Sequence, residues 1–328
     1  MSLKHDILKT LTENKGSSIS GQSLAEGLGV SRAAVWKAIK ALKDEGFHIE
    51  SATNRGYSLA EDDDKLSLEG IRNSLGEGFE SLHIQVFDEI DSTNTQAKKL
   101  AVSDFESGTC IVANRQTAGR GRLGRSFYSP KDSGIYISII IKPEFDLSQG
   151  VLVTTAAACA VYRAIKEVCG LETDIKWVND LYYEDRKICG ILTEAISDFE
   201  SGGIQAVVIG IGINAKEPDF VPEELQTKMG FLPAVDGFSR NRLAAGVIKH
   251  MLAVLEGIES REYLEDYKKR LMFMGKEILI NKRAWGKETE GTGTPAVALD
   301  VDRDGGLLVE YEDGRREVLS SGEISIRL

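Results

Sequence analysis

With 328 residues the chain has material for two or three domains, and its 42% hydrophobic and 28% charged content is that of a soluble globular protein. No apolar run approaches the roughly 18 residues of a membrane span, and Met1–Asp6 lacks the apolar centre of a secretion signal, which points to a cytoplasmic protein with no membrane partner. Cys110, Cys159, Cys169 and Cys189 are scattered and the four histidines form no ligand pattern, so reduced, buried thiols and no structural zinc are expected.

A net charge of −11 argues against nucleic acid until its distribution is considered. Residues 1–60 carry eight Lys/Arg against six Asp/Glu, a mildly basic segment ahead of an acidic body. Within it, Ile7, Leu8 and Leu11 recur at helical spacing. Ser20 caps a second helix containing Leu24, Ala25 and Leu28, and Gly29 permits a tight turn. Ser31 then caps a third helix running to Glu45 and stopped by Gly46. Val35, Ala38, Ile39 and Leu42 form its buried stripe and leave Arg32, Lys37, Lys40 and Lys43 outside. Ile49–Ala52 and Gly56–Leu59 read as short strands around a Thr53-Asn54-Arg55 tip. The pattern is a winged helix-turn-helix, with Arg32, Ala33 and Lys37 directed at a major groove, Lys40 or Lys43 and Arg55 at phosphates, and the capping Ser31 also counted among the DNA-binding residues. Trp36 has two open readings, packing against the rest of the domain or a base contact, and the first is the expectation.

Glu61-Asp62-Asp63-Asp64 fits a linker, and residues 65–80 predict a bridging helix (Leu68, Ile71, Leu75) ended by Gly76. Strands follow at Leu82–Phe87, Cys110–Ala113, Ile135–Ile141, Asp174–Trp177, Ile188–Ala195 and Ile204–Ile213, with helices at Thr93–Val102, Val151–Val168 and Arg240–Arg270. The second of these helices is nearly all apolar and should lie buried against a sheet. From Gly275, short β segments at Glu277–Asn281, Pro295–Val301, Leu307–Tyr311, Arg316–Leu319 and Ile324–Leu328 suggest a small SH3-like barrel. The division is 1–64, an α+β core over 65–272, and 273–328.

The chemistry concentrates in three places. Gly119-Arg120-Gly121-Arg122-Leu123-Gly124-Arg125 alternates residues that free the backbone with planar permanent cations, which describes a flexible clamp for a small anion. Lys176-Trp177-Val178-Asn179-Asp180 runs from a strand into a turn. Arg186 to Leu192 opens a new strand, with Lys187 at its start and Gly190 inside it, where a ligand can lie against the backbone. Neither a Gly-x-x-x-x-Gly-Lys-Ser/Thr loop nor a strand-to-helix Gly-x-Gly-x-x-Gly is present, which argues against a P-loop ATPase or a dinucleotide enzyme.

Together with Ser92-Thr93-Asn94, Gln116 and Gly210-Ile211-Gly212-Ile213-Asn214, these pieces resemble in order and spacing the bifunctional biotin–protein ligases that double as biotin operon repressors. The resemblance covers nearly the whole chain. One departure is Val178, where the family usually has proline. Proline acts there by backbone restriction, so the turn is expected to be less rigid with its chemistry intact.

The resemblance implies a winged helix-turn-helix, a class II synthetase-like mixed sheet with helices, and an SH3-like domain that helps ATP binding or protein-substrate docking. It implies biotin and ATP joined as biotinyl-5′-adenylate with Mg²⁺, transfer to a biotin carboxyl carrier protein domain, operator DNA, and a homodimer when the adenylate is bound. Lys187 is assigned to the carboxylate and α-phosphate oxygens, Arg122 to the same group, and Arg120 to holding the loop closed. Asp180 has three open roles: binding magnesium, orienting Lys187, or accepting the amine proton. Ser92, Thr93, Asn94, Gln116, Gly119 and Gly190 join these cations around biotin, and Phe127, Lys176, Asn179 and Asn214 join Arg122 around the nucleotide. Ala215–Val235, with Phe220, Phe231 and Leu232, is expected to be a mobile loop over the adenylate. The competing expectations are a lipoate–protein ligase of the same fold and a non-catalytic, adenylate-sensing transcription factor.

Overall fold

Serine sets the start of each of the first five helices. Ser2, Ser20, Ser31, Ser67 and Ser92 are extended in the backbone, and each side chain accepts a backbone N–H three residues on. The helices are α1 (Leu3–Glu13), α2 (Gly21–Gly27), α3 (Arg32–Asp44), α4 (Leu68–Leu75) and α5 (Thr93–Ala101). The computed structural model describes residues 2–52, 55–143, 150–197, 203–281, 293–320 and 323–326. They fall into two compact units, 1–81 with 239–245, and 82–238 with 246–328.

In the first unit, α1 to α3 bury Ile7, Leu11, Leu24, Val35, Ile39 and Leu42 in one core, closed by Phe47 and Leu59. Strands β1 (Ile49–Ala52) and β2 (Gly56–Leu59) pair antiparallel as the wing. Gly56 has φ +103°, and a Cβ there would overlap the Ile19 carbonyl, so the base of the wing requires glycine. Of the predicted wing tip, Thr53 and Asn54 lie outside the described residues.

One expectation for this unit is corrected. Trp36 does not pack into the domain: it is 56% exposed, on the same side of α3 as Lys40, whose Nζ lies 5.7 Å from its ring centre. The acidic run read as a linker makes contacts within this unit. Asp62 meets His48 Nδ1 at 2.9 Å, Asp63 accepts the His48 N–H at 2.8 Å, and Asp64 accepts Arg240 N and Nε at 2.6 and 3.1 Å.

The second unit is built on a seven-stranded sheet of β3 (Ile84–Phe87), β4 (Thr109–Ala113), β5 (Gly134–Ile141), β6 (Asp174–Lys176), β7 (Asp180–Tyr183), β8 (Arg186–Ser197) and β9 (Ile204–Asn214). The order is β3-β4-β5-β9-β8-β7-β6; β3 and β4 are parallel and the remaining pairs antiparallel. Helix α6 (Gly150–Cys169) buries almost every residue from Leu152 to Ile165, as its composition requires. The predicted single helix Arg240–Arg270 is interrupted. It comprises α7 (Arg240–Glu256), a 3₁₀ turn at Ile258–Ser260 and α8 (Tyr263–Lys269), because Gly257 ends the first piece and Arg261 takes a left-handed φ of +63°.

Strands β10 (Glu277–Asn281), β11 (Thr294–Val301), β12 (Leu307–Tyr311), β13 (Arg316–Leu319) and β14 (Glu323–Ile326) form the small antiparallel C-terminal sheet. It is joined to the core through the Trp177 indole, which donates to the Gly305 carbonyl at 3.0 Å.

Candidate functional site

Two glycines of β9 make room for the site. A Cβ on Gly210 would overlap Asn94 Oδ1, and one on Gly212 would sit 2.5 Å from the Phe127 ring. Asn94 so placed accepts from Ser138 Oγ at 2.6 Å and donates to the Leu192 carbonyl at 3.3 Å and Glu194 Oε2 at 2.9 Å. Its neighbour Thr93 donates through N and Oγ1 to Gln116 Oε1, at 2.8 and 3.1 Å, and Gln116 Nε2 donates to Ser129 Oγ. The Gly-x-Gly-x-Asn run therefore acts by absence of side chains, admitting a polar network and an aromatic ring against the strand.

Above this floor lies a cavity of about 320 Å³, roofed by the arginine-rich segment. That segment is a small flap. Gly121 N donates to the Arg125 carbonyl and Phe127 N to the Gly119 carbonyl, while Leu123 (φ +59°) and Gly124 (φ +76°) turn the tip. From the flap, Arg122 donates to Asn179 Oδ1 at 2.8 Å; Asn179 Nδ2 reaches Asp180 Oδ1 at 3.0 Å; and the same oxygen holds Lys187 Nζ at 2.8 Å. Two cations from separate parts of the chain are thus joined through one amide and one carboxylate, all lining the cavity. Asn281, from β10, also lines it, which places the C-terminal domain at the site.

Every predicted biotin and nucleotide residue except Gly119 and Asn214 lines the cavity. The close approach at Gly119 is to the flap itself: a Cβ there would overlap the Phe127 carbonyl. Asn214 donates through Nδ2 to the Lys187 carbonyl at 3.2 Å, and its Oδ1 is buried with no partner. Lys176 lies 5.9 Å from the Tyr182 ring centre. Burial, and secondarily the Asp180 charge, push the Tyr182 hydroxyl up to about 12, and burial pushes the Cys189 thiol well up, so neither supplies an anion here. The segment expected as a mobile loop is docked in part. Gly230 N donates to the Lys187 carbonyl at 2.8 Å and Leu232 N to the Asn214 carbonyl, while Phe220 stays exposed.

Sequence reasoning missed Glu194, Lys98 and Ser138. A signal for the first existed: a carboxylate inside the apolar run Ile188–Ala195 must be paired. Burial would raise the Glu194 carboxyl, but Lys98 at 2.5 Å and Asn94 hold it below its ordinary value.

In the first unit, α3 presents Arg32, Ala33, Trp36, Lys37 and Lys40 on exposed positions, and Ser31 Oγ accepts the Ala34 N–H at 3.1 Å. Lys43 is tied to the wing strand through Ser51 Oγ at 2.9 Å. No helix among the described residues is long and apolar enough to cross a membrane.

Comparison with known proteins agrees with both halves. Residues 86–214 match the biotin/lipoate A/B protein ligase family, residues 4–58 an HTH domain, and residues 288–327 the biotin protein ligase C-terminal domain. The bifunctional ligase/repressor BirA of Bacillus subtilis is 34% identical over 322 residues, covering 97% of each chain. That of Escherichia coli K12 is 31% identical over 317 residues, covering 94% of this chain and 92% of its own. The Aquifex aeolicus biotin protein ligase, solved with biotin and ATP, superposes with a TM-score of 0.59 at 28% identity, over 75% of this chain and 98% of its own. The chain belongs to the bifunctional biotin–protein ligase/repressor family.

Proposed function

We propose that the cavity activates biotin with ATP and passes the biotinyl group to a lysine of a biotin carboxyl carrier domain, and that the same chain represses transcription through its winged helix. In the first step a biotin carboxylate oxygen attacks the α-phosphorus, and the bond to the bridging oxygen breaks to release pyrophosphate. In the second, the lysine nitrogen attacks the acyl carbon, AMP leaves with the electron pair, and the amine proton is lost. The first step brings anions together, so it needs fixed positive charge more than it needs a base. Lys187 and Arg122 supply that charge. Asp180 and Asn179 hold both cations in place before substrate arrives, which lowers the reorganisation the reaction requires. The arrangement favours orienting Lys187 as the role of Asp180.

Among the described residues no group of three or more His, Cys, Asp or Glu could hold a metal alone. The Asp180 carboxylate, which lines the cavity beside Lys187, suits a hard cation that arrives with ATP and keeps most of its water. Magnesium there would neutralise triphosphate charge.

The linked set Arg122–Asn179–Asp180–Lys187 beneath the flap carries this reading. Incubation with biotin, magnesium-ATP and a biotin carrier domain should add the mass of one biotinyl group to the carrier. A lipoate arm distinguishes the other substrate in the family's description, and pyrophosphate release distinguishes an enzyme from a sensor. Operator binding calls for a two-fold-symmetric assembly, because each winged domain offers few cations. Sedimentation at micromolar protein should show dimer with biotin and ATP together; unchanged mass would count against it.

A further inference from the structure

We infer that Glu194 is the catch that holds the flap shut, and that Lys98 competes with the flap for it. Glu194 stands on β8 two residues beyond Leu192, which lines the cavity, so both side chains leave the strand on the same face. Its two oxygens have separate duties. Oε2 accepts from Asn94 Nδ2 at 2.9 Å, and Asn94 is itself immobilised by Ser138 and by the space that Gly210 leaves. Oε1 faces two cations: Lys98 Nζ from α5 at 2.5 Å and the Arg120 guanidinium from the flap at 3.5 Å.

The Arg120 separation is an ion pair longer than an ordinary hydrogen bond, so the flap is attracted without being locked. Lys98 draws on the same oxygen at the shorter distance, so the charge that Oε1 offers Arg120 is shared. One acceptor atom shared by a scaffold cation and a flap cation sets how firmly the roof closes. Arg120 is half exposed and reaches no other acidic side chain within ion-pair distance among the described residues, which makes Glu194 its anchor. Glu194 and Lys98 are thus positioning residues acting on whatever the flap covers. The inference rests on the ligase reading for the identity of that ligand, biotinyl-adenylate.

The test is the release rate of adenylate formed in place from labelled biotin and magnesium-ATP on the full chain. Glu194→Gln should speed release about fivefold, the scale of one partly exposed ion pair. Arg120→Met should do the same, and the double variant should release no faster than either alone. Lys98→Met should slow release, because Oε1 then serves Arg120 only. A merely structural role would move Glu194→Gln and Lys98→Met in the same direction, and that outcome, additivity in the double variant, or unchanged release in Glu194→Gln overturns the inference. Glu194→Asp, which keeps the charge, should recover part of the loss and separates the catch from a folding defect. If the unaltered protein forms no adenylate, the ligase reading fails, and the catch is judged by tryptic cleavage at Arg120, Arg122 and Arg125 without ligand. Faster cleavage in Glu194→Gln with slower cleavage in Lys98→Met then supports it, and any other pattern overturns it.

Discussion

Lys187 Nζ lies 2.8 Å from Asp180 Oδ1, across a hairpin whose turn residues, Glu184 and Asp185, both have positive φ (+48° and +60°). That turn matches the twist of its strands and fixes their register. A bulge then shifts the pairing, so that Asp180 faces Gly190 while Tyr182 faces Lys187. The lysine side chain folds back over Gly190, where a Cβ would sit 3.1 Å from Nζ. Sequence-local geometry thus delivers an ammonium group to a carboxylate that also orders Arg122.

Removing the charge and removing its holder should have separable effects. Lys187→Met should lower the adenylation rate by about 10²-fold or more, as for other preorganised charge stabilisers. Asp180→Asn keeps the lysine charge but loosens it, and should cost about tenfold, the size of one hydrogen bond to a charged group. Pyrophosphate release under saturating biotin and ATP measures both. Equal losses would mean that Asp180 does more than hold Lys187.

Gly210→Ala and Gly212→Ala should damage different walls of one pocket. The first must displace Asn94 and the second Phe127. Each should destabilise by about 1–3 kcal/mol, the usual cost of overpacking. Both should weaken biotin binding, because the floor and the aromatic wall move with the displaced side chains. Thermal melting and calorimetric titration with biotin check this; wild-type values for either variant would remove the packing explanation of the motif.

Much of the architecture was legible because its signals are local. Capping serines, 3.6-residue periodicity and the all-apolar α6 each report on residues within one element. The site was legible through residue types that have few other uses at such density, the glycines and arginines of the flap above all. What escaped depends on distant pairing. Glu194 and Lys98 are 96 residues apart and meet only because α5 lies against the sheet. Strand β7 was hidden because Asn-Asp suggests a turn, and only pairing with β6 and β8 makes it a strand. The break in Arg240–Arg270 was masked by apolar periodicity running through Gly257. Trp36 was misplaced because size and hydrophobicity favour burial, whereas its position on α3 lies off the buried stripe.

The exposure of Trp36 leads to a prediction about DNA. Its ring adds nothing to the core, so Trp36→Ala should leave stability within about 0.5 kcal/mol of wild type. On the face shared with Arg32 and Lys37, an apolar ring suits a thymine methyl group, a contact that carries sequence information. Selection from randomised duplexes should therefore yield a weaker preference with Trp36→Ala. The salt dependence of binding should stay the same, because no phosphate contact is lost. A flatter salt slope with unchanged preference would instead mean that Trp36 acts by positioning Lys40.

Asp63 should make the first unit respond to acid in the direction opposite to most carboxylates. Burial is the main cause holding its carboxyl above the ordinary aspartate value, and the His48 N–H and Lys15 offset this only in part. The folded form therefore keeps its proton to higher pH than the unfolded chain. Between the unfolded value, about 3.9, and the raised folded value, folding takes up a proton, so this group's contribution improves as pH falls and is least favourable above that window. Asp63→Asn keeps a carbonyl oxygen for the His48 N–H, bonded at 2.8 Å, and removes the buried charge. Its melting temperature should exceed that of the wild type at pH 7, and the advantage should shrink as the pH approaches 4. A constant difference across that range would show that the substitution acts through packing and that the carboxylate charge is compensated in place.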